Sequence, residues 1–232
     1  MNAEFTLGSA AGLIADPARS AILTLLLSGR AHTAGELALA AEISAQNASG
    51  HLQKLLTGNL IAVEVSGRHR YYRLASPEVG FALESIAAIN PVRDRIHLEP
   101  RQLSEMRFCR TCYDHLAGIV AIGITTSLIA HQAIHETHQD FSVTQRGEIF
   151  FSTLGIDIQS LLKKRRALAR KCLDWTERKP HIGGSLGNAI LERLTELTWI
   201  APVRGSRAMR VTAKGQERLI AHFGKRVLCC NS

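Results

Sequence analysis

The chain has 232 residues, 46% of them hydrophobic, which is enough to bury a packed core and too apolar for an intrinsically disordered chain. Its formal charge of +8 favours an anionic partner, but residues 1–100 carry 8 Lys+Arg against 9 Asp+Glu while residues 101–232 carry 20 against 11. Bulk charge is therefore excluded as an argument for nucleic-acid binding by the N-terminal half, and local placement of its basic residues has to carry any such reading.

Asp16-Pro17 reads as an N-cap followed by proline at the first helical position, opening a helix whose run Ile22 to Leu27 is buried and which stops at Ser28-Gly29. Thr33 and Glu36 have the spacing of a capping box for a short helix to about Ala41. Ser44 caps the next helix, whose apolar face is Ala48, Leu52 and Leu55 and which ends at Thr57-Gly58-Asn59. Two strands joined at Ser66-Gly67 follow, Leu60–Val65 and Arg68–Leu74. Ser76-Pro77 opens a helix to about Ile89, and Asn90–Pro100, with two prolines, reads as a linker. This order is that of a winged helix-turn-helix. The fold class expected is mainly α with small β-hairpins: a winged-helix domain over 1–97 and an α-rich C-terminal domain over 98–232.

In the C-terminal domain a helix carrying Cys109, Cys112 and His115 is expected to run on to about His138. A second is expected over Ile158–Trp175 with the basic cluster Lys163–Arg166, and a third over about Ser185–Leu197, followed by a hairpin near Gly205-Ser206. The stretch 190–207 aligns without gaps to 51–68, with Leu52/Leu191, Leu55/Leu194, Ile61/Ile200, Ala62/Ala201 and Arg68/Arg207 coinciding. A second, partial winged-helix-like unit is one reading of this match; the ordinary likeness of any helix followed by a hairpin is the other.

The helix from Ser44 has an apolar core face and a polar outer face bearing Gln46, Asn47, Ser49, His51 and Lys54. Asn and Gln can pair bidentately with adenine in a major groove wide enough for one helix, Ser can donate to phosphate or a base edge, and the helix N-terminus offers free N–H groups. The following hairpin places Arg68, His69, Arg70 and Arg73 beside Tyr71 and Tyr72, a basic wing suited to tracking the backbone or entering the minor groove. Helix and wing together point to double-stranded DNA, with Ser44, Gln46, Asn47, Ser49, His51, Lys54, Arg68, His69, Arg70 and Tyr72 as its contacts.

The segment GELALAAEISAQNASGHLQKLLTGNLIAVEVSGRHRYYRLASPEVGFALESI resembles the DNA-binding domain of the ArsR/SmtB family of repressors, over about residues 5–90. The resemblance implies a homodimer built through the first and last helices of that domain and release from DNA by an effector, and a two-fold dimer would set its recognition helices on a pseudo-palindromic operator. Gly50 stands where relatives place a longer polar side chain. The familiar metal positions are also missing, since ELALAAE has no Cys-x-Cys and PEVGFALESIAAI has no His, so metal sensing does not carry over. RFCRTCYDHLAG and CLDWTERKPHIGGSLGNAI resemble a longer subgroup of the same family, which names no effector.

Five cysteines, an odd number, and no basic segment ahead of an apolar leader fit a reduced, cytoplasmic setting. Leu116–Ala130, the longest uncharged run at 15 residues, falls short of the roughly 20 that span a bilayer, so no membrane partner is expected. On a single helix Cys109, Cys112 and His115 would share one side, and with Cys172 they form a candidate zinc set; the plainer reading is packed core cysteines. Cys112 and Cys172, on separate apolar helices, are also candidates for a thiol switch, with Arg110, Arg170 and Lys171 supplying a positive field; the opposing and favoured picture is inert core thiols, with an apolar small-molecule effector bound between helices. His131, His135 and His138 read as a solvated helix end. No P-loop or Rossmann glycine pattern occurs, and GGSLGNA (183–189) reads as a helix start with no strand before it. No cofactor and no enzymatic activity are expected. A zinc- or thiol-dependent enzyme or redox sensor and a nucleoid-type architectural protein are the alternatives to an effector-released regulator.

Overall fold

The computed structural model describes residues 7–66, 69–89 and 101–229. The chain divides into two compact units, Met1–Leu83 and Glu84–Ser232, each with its own core.

The first unit contains α1 (Leu7–Ile14), α2 (Pro17–Leu26), β1 (His32–Thr33), α3 (Ala34–Ala40), α4 (Ala45–Thr57), β2 (Ile61–Ser66), β3 (His69–Leu74) and the first half of α5 (Pro77–Ile89). Its helices begin where local chemistry starts them. The Asp16 carboxylate accepts from the Arg19 N–H at 2.9 Å, with Pro17 in the first turn. Thr33 and Glu36 form the reciprocal capping box. The Ser44 hydroxyl accepts from the Asn47 N–H at 3.2 Å. Arg19 also donates to the carbonyls of Gly12 and Leu13, satisfying the open C-terminal end of α1. Ile22, Leu23, Leu26, Leu37, Leu52, Leu55 and Ile61 make the core. The sheet is antiparallel in the order β1-β3-β2, so β3 is central: Tyr72 lies opposite both His32 and Val63.

The second unit runs α6 (Arg101–Phe108), β4 (Arg110–Cys112), β5 (His115–Ala117), α7 (Ile119–Ala130), β6 (Ile134–Glu136), β7 (Phe141–Val143), α8 (Gln145–Thr153), α9 (Ile158–Leu162), β8 (Lys171–Leu173), β9 (Pro180–Ile182), α10 (Gly184–Glu196), β10 (Ile200–Pro202), β11 (Met209–Val211), α11 (Ala213–Phe223) and a closing 3-10 turn, Lys225–Leu228. Among the described residues, four two-stranded antiparallel hairpins are interspersed with these helices.

The structure corrects four expectations. The long helix through Cys109, Cys112 and His115 is instead the end of α6 followed by the tight hairpin β4–β5, with Tyr113 at φ 57° in the turn. The helix expected over Ile158–Trp175 stops at Leu162, because Lys163–Arg166 offers no apolar position to bury, and Cys172 lies on a strand. His135 sits in β6, past the end of α7, so His131, His135 and His138 share no helix. GGSLGNA does open a helix, but it follows strand β9 directly.

The unit is a tandem repeat. Its first half, β4, β5, α7, β6, β7 and α8, has the same order as its second, β8, β9, α10, β10, β11 and α11. Equivalent residues do equivalent work. Gly118 and Gly184 both take positive φ at a helix start. Thr144 and Thr212 cap α8 and α11 by accepting from Gly147 and Gly215 N–H. A Cβ on either of those glycines would strike a backbone carbonyl, Ala133 O at 2.0 Å or Trp199 O at 1.8 Å. The helix–hairpin–helix order of α10, β10, β11 and α11 is also that of α4, β2, β3 and α5 in the winged helix, and its nearer counterpart lies within its own unit.

Candidate functional site

α4 buries Ala48, Leu52 and Leu55 and leaves Ser44, Gln46, Asn47, Ser49, Gly50, Gln53 and Lys54 exposed. The Ser49 hydroxyl donates back to Ala45 O at 3.3 Å, and Ser44 is committed to the cap. A Cβ on Gly50 would meet nothing within 4 Å, so the middle of the helix offers bare backbone to whatever approaches it. His51 is half-buried, with Nδ1 3.3 Å from the Asp16 carboxylate, and thus turns toward the start of α2.

The wing hairpin pairs Ser66 with His69 and carries exposed His69 and Arg70; the His69 and Tyr71 rings meet edge to face. Arg73 is engaged by Glu64 across the hairpin. Arg68 lies outside the described residues. Tyr72, expected to face DNA, is corrected: it is 7% exposed, because the central position of β3 turns it into the core. The two-residue strand β1 that makes β3 central is too short to announce itself in the sequence.

In the second unit a different group converges. β4 pairs Cys112 with His115, and β8 pairs Cys172 with His181, as directly opposed residues of two separate hairpins. The four ligand atoms lie within 4.8 Å of one another, with Cys112 Sγ 3.9 Å from Cys172 Sγ and His115 Nε2 3.1 Å from His181 Nε2. The two imidazoles stack with centroids 5.1 Å apart. Cys109 is not among them: it is fully buried in the apolar core, where burial pushes its thiol up to about 12. His181 was not singled out in the sequence, although His115-x-x-Gly118 and His181-x-x-Gly184, each opening a helix, repeat one another.

A charged network borders this cluster. Arg110, fully buried, donates to Asp174 at 2.9 Å, has Glu84 at 3.4 Å, and lies 5.4 Å from the centre of the Trp175 ring. Glu84 also accepts from Trp175 Nε1 and Arg207, both at 2.8 Å, and its other oxygen is 3.6 Å from Cys112 Sγ. Burial works most strongly against the charge of Asp174, but Arg110, His181, Thr176 and the Gly118 N–H together outweigh it and hold the carboxyl at about 2. Burial likewise opposes Glu84, and Arg207 and Arg110 bring it below its usual range.

The positive field expected around the thiols is therefore spent elsewhere: Arg110 is neutralised by these carboxylates, and Lys171 pairs with Glu136 at 2.8 Å. The hydrogen bond to Cys172, followed by burial, pushes Cys112 up to about 12, while the same bond lowers Cys172. Burial lowers His181.

The exposed α4 beside an exposed basic hairpin defines a helix-turn-helix DNA-binding protein. A model described as a helix-turn-helix domain matches residues 14–64. The chain is 44% identical over 216 residues, 93% of it and 96% of the relative, to an uncharacterized HTH-type transcriptional regulator, YdfF, of Bacillus subtilis (strain 168). It belongs to the HTH-type transcriptional regulators.

Among solved structures it is similar to the homodimeric winged helix-turn-helix domain of Mb0332 from Mycobacterium bovis, a possible ArsR-family regulator, at 26% identity over 36% of this chain and 76% of that one, TM-score 0.34. It is also similar to NolR from Sinorhizobium fredii, at 28% identity over 35% and 81%, TM-score 0.33. A third is the cadmium metal-sensor CMTR from Mycobacterium tuberculosis, at 29% identity over 40% and 97%, TM-score 0.33. No described helix is long and apolar enough to cross a membrane.

Proposed function

We propose that the chain is a sequence-specific transcriptional repressor of the ArsR/SmtB type that binds a pseudo-palindromic operator as a homodimer. The observation that carries this reading is the outer face of α4, where Gln46, Asn47 and Lys54 stand exposed around a bare Gly50 while the opposite face is locked into the core. Asn47 and Gln46 read adenine edges in the major groove. Gly50 lets the helix backbone come close to the groove floor. Arg70 and His69 of the wing, with Arg68, contact the phosphate backbone.

Two copies related by a two-fold axis set their recognition helices about one helical turn apart on the duplex. α1 exposes Ala10 and Ala11, and α5 exposes Ile86 and Ile89, the latter at 80%; this is apolar surface of the kind that a second copy covers. A signal reaching the second unit releases the dimer from DNA, and the reading places the protein in the cytoplasm with the DNA it regulates.

Footprinting on the DNA upstream of the protein's own gene tests the proposal. Protection of a symmetric site that survives excess random duplex is the expected result. Protection that random duplex abolishes would favour an architectural, sequence-tolerant binder.

A further inference from the structure

We propose that Cys112, His115, Cys172 and His181 hold a zinc ion that ties the two repeats of the C-terminal unit together. Each repeat contributes one Cys–His pair, directly opposed across a hairpin, and each pair sits just ahead of a glycine-started helix. Two hairpins from distant stretches of chain, with the histidines 66 residues apart, thus aim four donors at one point. Packing alone gives no reason for two thiols and two imidazoles from separate hairpins to meet there.

The distances agree with a tetrahedron. Metal–sulfur bonds of about 2.3 Å set two sulfurs about 3.8 Å apart, and metal–nitrogen bonds of about 2.0–2.1 Å set two nitrogens about 3.4 Å apart. The structure has 3.9 Å between the sulfurs and 3.1 Å between the Nε2 atoms, and the 4.8 Å limit on the remaining separations needs about 1 Å of side-chain closure. The sulfurs are far beyond the roughly 2.05 Å of a disulfide.

The donor set selects the metal. Two thiolates and two imidazoles suit zinc, whose filled d shell accepts tetrahedral geometry at no cost, and disfavour calcium or magnesium. Two thiolates also neutralise the dication, so the complex can be buried without a net charge. Each thiol S–H bond breaks on binding and its proton passes to solvent.

The surroundings serve the ligands. Asp114, held by Arg166, lies 3.4 Å from His115 Nδ1 and orients the ring so that Nε2 faces the cluster. Cys112, His115 and His181 are buried and Cys172 is half-buried, and four protein donors leave no open position for substrate. The ion is structural, and the proposed release from DNA does not depend on it as effector.

The full chain, purified under reducing conditions without chelator, is analysed for metal by plasma mass spectrometry. Wild type and Cys109→Ser are expected to carry close to one zinc per chain, and Cys112→Ser, Cys172→Ser and His181→Ala to lose most of it. Cobalt(II) exchanged into wild type is expected to give the thiolate charge-transfer and intense visible bands of a tetrahedral sulfur-ligated ion, a readout that stands even if a variant fails to fold. Wild type that takes up no zinc, a cobalt spectrum without sulfur ligation, Cys112→Ser carrying as much zinc as wild type, or a Cys112–Cys172 disulfide in the unreduced peptide map would each overturn the proposal.

Discussion

Gly215→Ala is a sharp test of the packing of the tandem repeat. The added Cβ would sit 1.8 Å from Trp199 O and 2.5 Å from Trp199 C, whereas ordinary contact begins at 3.4 Å. Both obstacles are backbone, so no side chain can rotate away. α11 has to lift off β10 by about 1–2 Å, which strains the Thr212 N–H bond to Trp199 O at 3.0 Å and the Thr212 hydroxyl bond to Thr198 O at 2.7 Å. Overpacking of about 1–3 kcal/mol, plus about 1 kcal/mol for each weakened hydrogen bond, less about 1 kcal/mol of helix propensity gained, leaves a loss of about 2–4 kcal/mol.

In urea unfolding of the full chain followed by circular dichroism, that loss appears as a lower midpoint. On heating it lowers the transition of a domain this size by roughly 6–12 °C. Gly50→Ala is the matched control: it is also helical, meets nothing within 4 Å, and is expected to stabilise by up to about 1 kcal/mol. A Gly215→Ala protein within about 0.5 kcal/mol of wild type would refute the steric reasoning, and so would equal losses for the two variants.

Asn47→Ala and Gln46→Ala are each expected to cost about 1–3 kcal/mol of operator affinity in gel-shift titrations while leaving random duplex binding unchanged. Arg70→Ala should weaken binding to all duplexes and flatten the slope of log affinity against log salt by about one unit. His32 responds to pH: burial, outweighing Glu36, holds its pKa below the ordinary 6.5, so the folded state prefers it neutral. Its stabilising contribution is full above 6.5 and is lost as pH falls from 6.5 through the lower folded value. Urea midpoints of wild type should therefore drop further than those of His32→Gln over that window, and parallel curves would remove His32 from the account.

The winged helix was legible because its signals are local. Asp16-Pro17, the Thr33/Glu36 box and Ser44 each act within one turn, and all three form the caps that their spacing implies. Tyr72 was misread because its environment depends on β1, a strand of two residues from forty positions earlier. The second unit was harder for the same reason throughout: its strands are three residues long, too short for a period of two to show, and apolar runs such as Leu116–Ala130 look helical across the β5–α7 junction. Cys112, His115 and Cys172 could be picked out by type, but the partner that completes them, His181, meets them only through the β8–β9 pairing. The pairs His-x-x-Gly and Thr-x-x-Gly, recurring at 115 and 181 and at 144 and 212, were the available signal.

The contact between α7 and the closing 3-10 turn has a consequence for how the protein is made. Gly123 lies so close to Val227 that a Cβ there would be 2.7 Å from its backbone, and Val227 is fully buried. α7 is apolar on nearly every side, so this segment is its lid. A ribosome that has released α7 must add about 100 more residues, on the order of 5–20 s of synthesis, before the lid exists. During that interval a nascent chain with a finished winged helix carries an uncovered apolar helix behind it. Chain termination ahead of Lys225 would make that exposure permanent, turning a small C-terminal loss into a substrate for chaperones and proteases.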